Sequence, residues 1–183
     1  MTREELEHVI RAAADVVRDD LIVIGSQAIL GQYPDAPASL LVSQEADVFP
    51  RSDPAAAIEI DGAIGDGSQF HDTWGYYAHG VGPETVTLPH GWQERLVPVR
   101  VPELPKGETH VTGWCIEAHD LILSKCVAGR ERDWDYVEDA IAHELVRLDV
   151  LRARVLDLPI ERGERVRVID MLEGIVGRLE KRR

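Results

Sequence analysis

The chain has 183 residues, 44% of them hydrophobic, enough to bury one domain-sized core and too many for wholesale disorder. Its 33 acids against 20 Lys and Arg leave a formal net charge of −13, which repels nucleic-acid phosphates at long range. This disfavours a free DNA-binding module and leaves a local basic patch, or a basic protein partner, as the route to a macromolecule.

In chain order, Leu6, Val9, Ile10, Ala13, Val16 and Val17 recur at helical spacing and predict a helix from about Glu4 to Arg18. "LIVIGSQAIL" reads as a short buried strand, a Gly-Ser turn and a second helix. "LLVSQEADVF" reads as a strand and "DPAAAIEI" as a short helix or strand. Residues 61–95 are rich in Gly, Pro and His, with strand segments expected at "TWGYYAH" and "ETVTL". "RLVPVRV" predicts an edge strand, because Pro98 cannot donate to a ladder, and "THVTGWCIEA" another strand. From Asp120 the pattern turns helical, with Asp120 expected to cap "LILSKCVAG". After Gly129 a helix carries Trp134, Val137, Ile141 and Leu145 on one stripe, and two more amphipathic helices follow. The expected fold is α/β (α+β), a mixed sheet flanked by helices over residues 1–117, with a helical subdomain over 118–183.

No apolar run reaches about 18 residues, so no membrane-spanning helix is predicted. The amphipathic start "MTREELEHVIRAAADVV" lacks the apolar centre and cleavage site of a signal peptide. Cys115 and Cys126 are too few for a disulfide framework and lack metal-ligand spacing. A reducing cytoplasm is the expected location.

Two features carry chemistry. In "SQEADVF", Glu45 and Asp47 are two residues apart on a strand, so both carboxylates share one face. That repulsion is tolerable if the pair stays in water or if a divalent cation neutralises it. Upstream, "IVIGSQAI" places Gly25 and Ser26 between a buried strand and a helix. Such a turn either caps its helix or cradles phosphate through free N–H groups and the serine hydroxyl.

The ordered combination of apolar strand, Gly-Ser, helix and acid-bearing strand resembles the nucleotidyltransferases of the polymerase-β superfamily. The segment "DLILSKCVAGRERDWDYVEDAI" is similar to the lysine stretch of minimal members, the AbiEii and MenT toxin group and uncharacterised relatives of the DUF6036 type. "GAIGDGSQFHDTWGYY" and "LPHGWQERL" resemble segments of one such uncharacterised family. The resemblance covers most of residues 20–145.

The resemblance implies an Mg²⁺-dependent transfer of NMP from an NTP to an acceptor hydroxyl, with Mn²⁺ as an alternative ion. It implies that Glu45 and Asp47 bind the metal, that Gly25 and Ser26 hold the triphosphate, and that Lys125 meets the phosphates. Asp133 would complete the catalytic set, and Arg130, Arg132 and Ser68 would add nucleotide contacts. Lys125, Arg132 and Asp133 sit about two turns apart if the helix is continuous, and a break at Gly129 would leave the direction of Arg130 open. The toxin group implies tRNA as acceptor and a cognate antitoxin as partner, with a protein hydroxyl as the competing acceptor. A degenerate, non-catalytic binding module is the alternative. The first acid departs from the usual Asp, and "RLVPVRV" offers no third acid, leaving Asp66 or Glu117 as substitutes. His71 and Trp74 are candidates to line the nucleotide or acceptor site. His119 and His143 are expected at helix ends or in solvent, and Cys126 in the core.

Overall fold

A computed structural model describes residues 1–102 and 110–182. A five-stranded mixed sheet, flanked by helices, has the order β3-β2-β1-β5-β4. Its strands are β1 (Leu21–Ile24), β2 (Glu45–Pro50), β3 (Tyr77–Gly80), β4 (Val97–Pro102) and β5 (His110–Cys115). β1 pairs parallel with β5 and antiparallel with β2, and β2 runs parallel to β3. β4 is the edge expected of a strand containing Pro98. Thr109, the first residue of the predicted "THVTGWCIEA" strand, and Arg183 lie outside the described residues.

The helices are α1 (Arg3–Val17), α2 (Ile29–Gln32), α3 (Ala57–Ile64), α4 (Gln69–Trp74), α5 (Ala118–Ala128), α6 (Glu131–Ala142), α7 (Leu148–Val155) and α8 (Arg162–Arg182). Thr2 opens α1 by a reciprocal capping box with Glu5, and α1 buries Leu6, Val9, Ile10 and Ala13. No helix among the described residues is long and apolar enough to cross a membrane. The expected division at 117/118 falls where Glu117 caps α5, and side chains from both sides of it share one hydrophobic cluster.

Several elements differ from expectation, each for a local reason. β2 begins at Glu45, because residues 40–44 are drawn off the ladder: the Gln27 amide donates to the Ser43 carbonyl, and Pro37 precedes a 3-10 turn over Ala38–Leu40. Thr73 and Trp74 end α4, which Ser68 caps by accepting from the His71 N–H. "ETVTL" is no strand, since Pro83 opens a 3-10 turn over Pro83–Thr85. Of the predicted stripe, Val137 is fully buried, while Leu145 lies beyond the end of α6.

Asp120 is not the cap. Glu117 is, and Asp120 sits fully buried in the first turn of α5. There it accepts from Arg95 Nε at 2.8 Å and Arg154 Nη1 at 2.9 Å. "GWQERL" thus supplies a guanidinium that ties the loop before β4 to α5.

Glu117 accepts from Arg154 and from His119, whose Nδ1 lies 2.6 Å from Glu117 Oε1. His119 Nε2 accepts from the Arg147 N–H, so Nδ1 carries the proton. Burial alone would raise the Glu117 pKa, but the His119 and Arg154 hydrogen bonds outweigh it and hold the carboxyl at about 2, below its ordinary 4.5. A depressed folded-state pKa contributes stability above the unfolded value, and that stability fades as pH falls from about 4.5 to about 2. The denaturant midpoint is expected to drop across this window by the equivalent of roughly 2 kcal/mol after solvent screening. Glu117→Gln should flatten that limb.

Candidate functional site

The site lies at the carboxyl end of β1. Gly25 follows with φ +67° and ψ −167°, a conformation open essentially to glycine alone. The antiparallel register sets Ile24 opposite Asp47, so the turn leaving β1 lies against the acid-bearing end of β2. A Cβ on Gly25 would stand 2.0 Å from Asp47 Oδ2. Glycine therefore serves two needs here, the left-handed turn and the close approach of a carboxylate.

Along β2, Ala46 and Val48 are buried while Glu45 and Asp47 remain partly open, the alternation expected of a strand with one face on a cavity. β3 is registered so that Glu45 opposes Tyr77 and Asp47 opposes His79. Tyr77 Oη donates to Glu45 Oε2 at 3.1 Å, and His79 Nδ1 lies 3.0 Å from Asp47 Oδ1. Each carboxylate is therefore oriented by its cross-strand neighbour. Burial raises the Asp47 pKa, the His79 hydrogen bond opposes the rise, and the Glu45 charge adds to it. Burial and the Glu45 charge push Tyr77 up to about 12, so its phenol stays a donor.

The helical half supplies the cations. Gly129 adopts a left-handed conformation and ends α5, so Lys125 and Asp133 occupy separate helices rather than one continuous helix. The break lets α6 fold back. Lys125 Nζ donates to Ser26 Oγ at 2.9 Å, lies 3.4 Å from Asp133 Oδ1, and sits 4.3 Å from the centroid of the Tyr136 ring. Tyr136 Oη donates to the Ser26 carbonyl, clamping the Gly-Ser turn against α6. Burial lowers the Lys125 pKa while Asp133 opposes the fall. Asp133 is itself buried and accepts from Arg130 Nε at 2.8 Å. Burial would raise its pKa, but Arg130 and Lys125 hold it below the ordinary value. With its oxygens engaged by Lys125 and Arg130, Asp133 acts as the pivot that positions two cations.

One cavity of about 800 Å³ is lined by Gly25, Ser26, Glu45, Asp47, Lys125, Arg130, Arg132 and Asp133. It is within the size range of small-molecule sites. Ser68 is not on its wall, being used as the α4 cap. Nor are the substitute acids: Asp66 pairs with His71, and Glu117 with His119 and Arg154. His71 and Trp74 also lie off the wall, His71 against Tyr77 and Trp74 edge-on to His8. Sequence reasoning missed Tyr77, His79 and Tyr136. A period-two "YAH" was visible, but nothing local says which strand it will pair.

A family model described as a nucleotidyltransferase of unknown function (DUF6036) matches residues 2–172. The chain belongs to this nucleotidyltransferase family. No curated protein and no solved structure matches it. In this family member the matched span includes every cavity residue named above as well as Arg95 and Asp120.

Proposed function

We propose that the protein transfers an NMP from an NTP to an acceptor hydroxyl with the help of a divalent cation, Mg²⁺ or in its place Mn²⁺. The observation that carries this reading is the convergence, in one cavity, of a glycine-serine turn, a buried lysine and a same-face carboxylate pair. The donor set fits a hard cation: two carboxylates, each held by a cross-strand donor through one oxygen. Among the described residues, no cluster of three or more His, Cys, Asp or Glu is placed to hold a metal. Glu45 and Asp47 would therefore share the ion with substrate phosphates and water, as Mg²⁺ commonly is. Held there by Glu45 and Asp47, such an ion would supply stabilisation of charge developing on the reacting phosphate.

The chain's own residues do the rest. Gly25 and Ser26 offer a backbone approach and a hydroxyl to the triphosphate, and Lys125 already points at Ser26 Oγ. Arg130 and Arg132 extend the cationic wall toward solvent. The new bond forms between the acceptor oxygen and the α-phosphorus while the hydroxyl proton passes to water; the bond from the α-phosphorus to the oxygen bridging to the β-phosphate breaks, and pyrophosphate leaves toward Lys125. The likeness to the AbiEii and MenT group supports tRNA as the acceptor and a cognate antitoxin as partner. The two rim arginines supply the local basic patch that an acidic chain needs to admit RNA. A protein hydroxyl is the competing acceptor.

Incubation of the full chain with each labelled NTP, Mg²⁺ and total tRNA is expected to put label on RNA, and EDTA to abolish it. Label on protein would keep the chemistry and replace the acceptor. NTP binding without transfer would favour the second reading, a non-catalytic nucleotide-binding module.

A further inference from the structure

The nucleotide cavity is electrically polar along α6. Arg132, Asp135, Tyr136 and Asp139 all line it, at spacings of three, four and seven residues that place them on one helix face. The cationic end, with Arg130 and Arg132, is the N-terminal end of the helix, where the helix dipole also favours phosphate. Asp139 lies two turns further along, about 10 Å down the axis. Neither Asp135 nor Asp139 has a side-chain hydrogen bond or ion pair among the described residues. The 3-10 turn carrying Ser39 and Leu40 packs against α6, and Ser39, Leu40 and Val42 line the same cavity. Val42 is 79% exposed, an apolar side chain left without protein cover on the cavity wall.

An acidic wall repels the triphosphate, so this end must take the nucleoside. We propose that it selects guanine, with Asp139 accepting from the base edge and the exposed Val42 packing on its face. This inference rests on the nucleotide reading above. Guanine presents N1–H and the N2 amino group side by side, two donors that one carboxylate can accept together. Adenine and cytosine flank their single amino group with a ring-nitrogen acceptor that faces and repels the second carboxylate oxygen. Uracil flanks its lone N3–H with two carbonyl oxygens. Asp139 is half-buried and Asp135 exposed, which makes Asp139 the reader and Asp135 a supporting charge at the rim.

The test is equilibrium binding of GTP, ITP, ATP, CTP and UTP to the full chain with Mg²⁺, in the wild type, Asp139→Asn and Asp135→Asn. GTP is expected to bind about tenfold or more tightly than the other three standard nucleotides, the scale of one bidentate base contact. ITP, lacking the N2 amino group, should lose most of that margin, a comparison that needs no variant. Asp139→Asn should erase the preference while leaving the melting temperature unchanged, and Asp135→Asn should reduce it less. Equal affinities, a preference for another base, or a GTP preference that survives both substitutions would overturn the inference and leave the nucleotide reading standing. No binding of any NTP by the wild type would overturn both.

Discussion

Asp47→Asn is expected to cut nucleotidyl transfer on the order of a thousandfold, about 4 kcal/mol of transition-state stabilisation, while making the fold slightly more stable. The two effects share one cause. Asp47 is held between the Gly25 turn and His79, with Glu45 on the same strand face, and burial together with that neighbouring charge raises its pKa. A raised carboxyl pKa means that ionisation costs the folded state free energy at neutral pH, so removing the charge relieves a strain that the fold otherwise carries. Asn keeps the shape and leaves an amide oxygen for His79, so the turn and sheet should survive. Thermal denaturation without divalent cation should show an unchanged or modestly higher Tm in the variant. Adding Mg²⁺ and NTP should raise the Tm of the wild type far more than that of Asp47→Asn, since only a ligand bound to the native state shifts the melt. Such a pattern is the trade between stability and function that a site of like charges predicts. Wild-type turnover in Asp47→Asn would show that the strand pair does not carry the chemistry.

Asp120→Ala is expected to lower unfolding free energy by about 3–5 kcal/mol, the scale of losing one partner from a buried ion network. Asp120 has no solvent exposure and receives two guanidinium groups, Arg95 from the loop before β4 and Arg154 from α7. Arg154 can still turn to Glu117, but among the described residues Arg95 retains the carbonyls of Pro89 and His90. The loss should therefore concentrate on the segment around residues 89–95. Limited proteolysis should cut there first in the variant, alongside the fall in the urea midpoint. The neutral isostere Asp120→Asn should also lose stability, by leaving the Arg95 charge uncompensated and Arg154 with Glu117 as its carboxylate partner. A variant as stable as wild type would mean that the two arginines find equivalent partners elsewhere.

The chemistry that local sequence determines is legible without a fold. Period-two spacing alone puts Glu45 and Asp47 on one face, because alternate side chains of a strand point the same way. The order strand, Gly25, Ser26, helix marks a turn in the sequence, and the structure gives Gly25 a φ of +67° there. Pro98 marks a strand that lacks one ladder donor, and β4 is indeed at the sheet edge. Lys125 stands out from the motif around it, and Arg130 and Arg132 follow close in sequence.

Relations between segments distant in sequence are set by packing and are not legible in the chain. Tyr77 and His79 orient the acids because β3 pairs with β2 in one register, a choice made by packing across some thirty intervening residues. Asp133 reaches Lys125 because Gly129 breaks the helix between them, so contact depends on how α6 folds back rather than on turns of one helix. Asp120 looked like a cap because a helix's first turn favours an acid, yet the two arginines that make its burial tolerable come from segments 25 residues before and 34 after it. Ser68 shows the converse. Its own short helix claims the hydroxyl, and no amount of polar character brings it to a cavity built by other strands. Face-sharing and backbone conformation are local properties; partner choice is a property of the packed core.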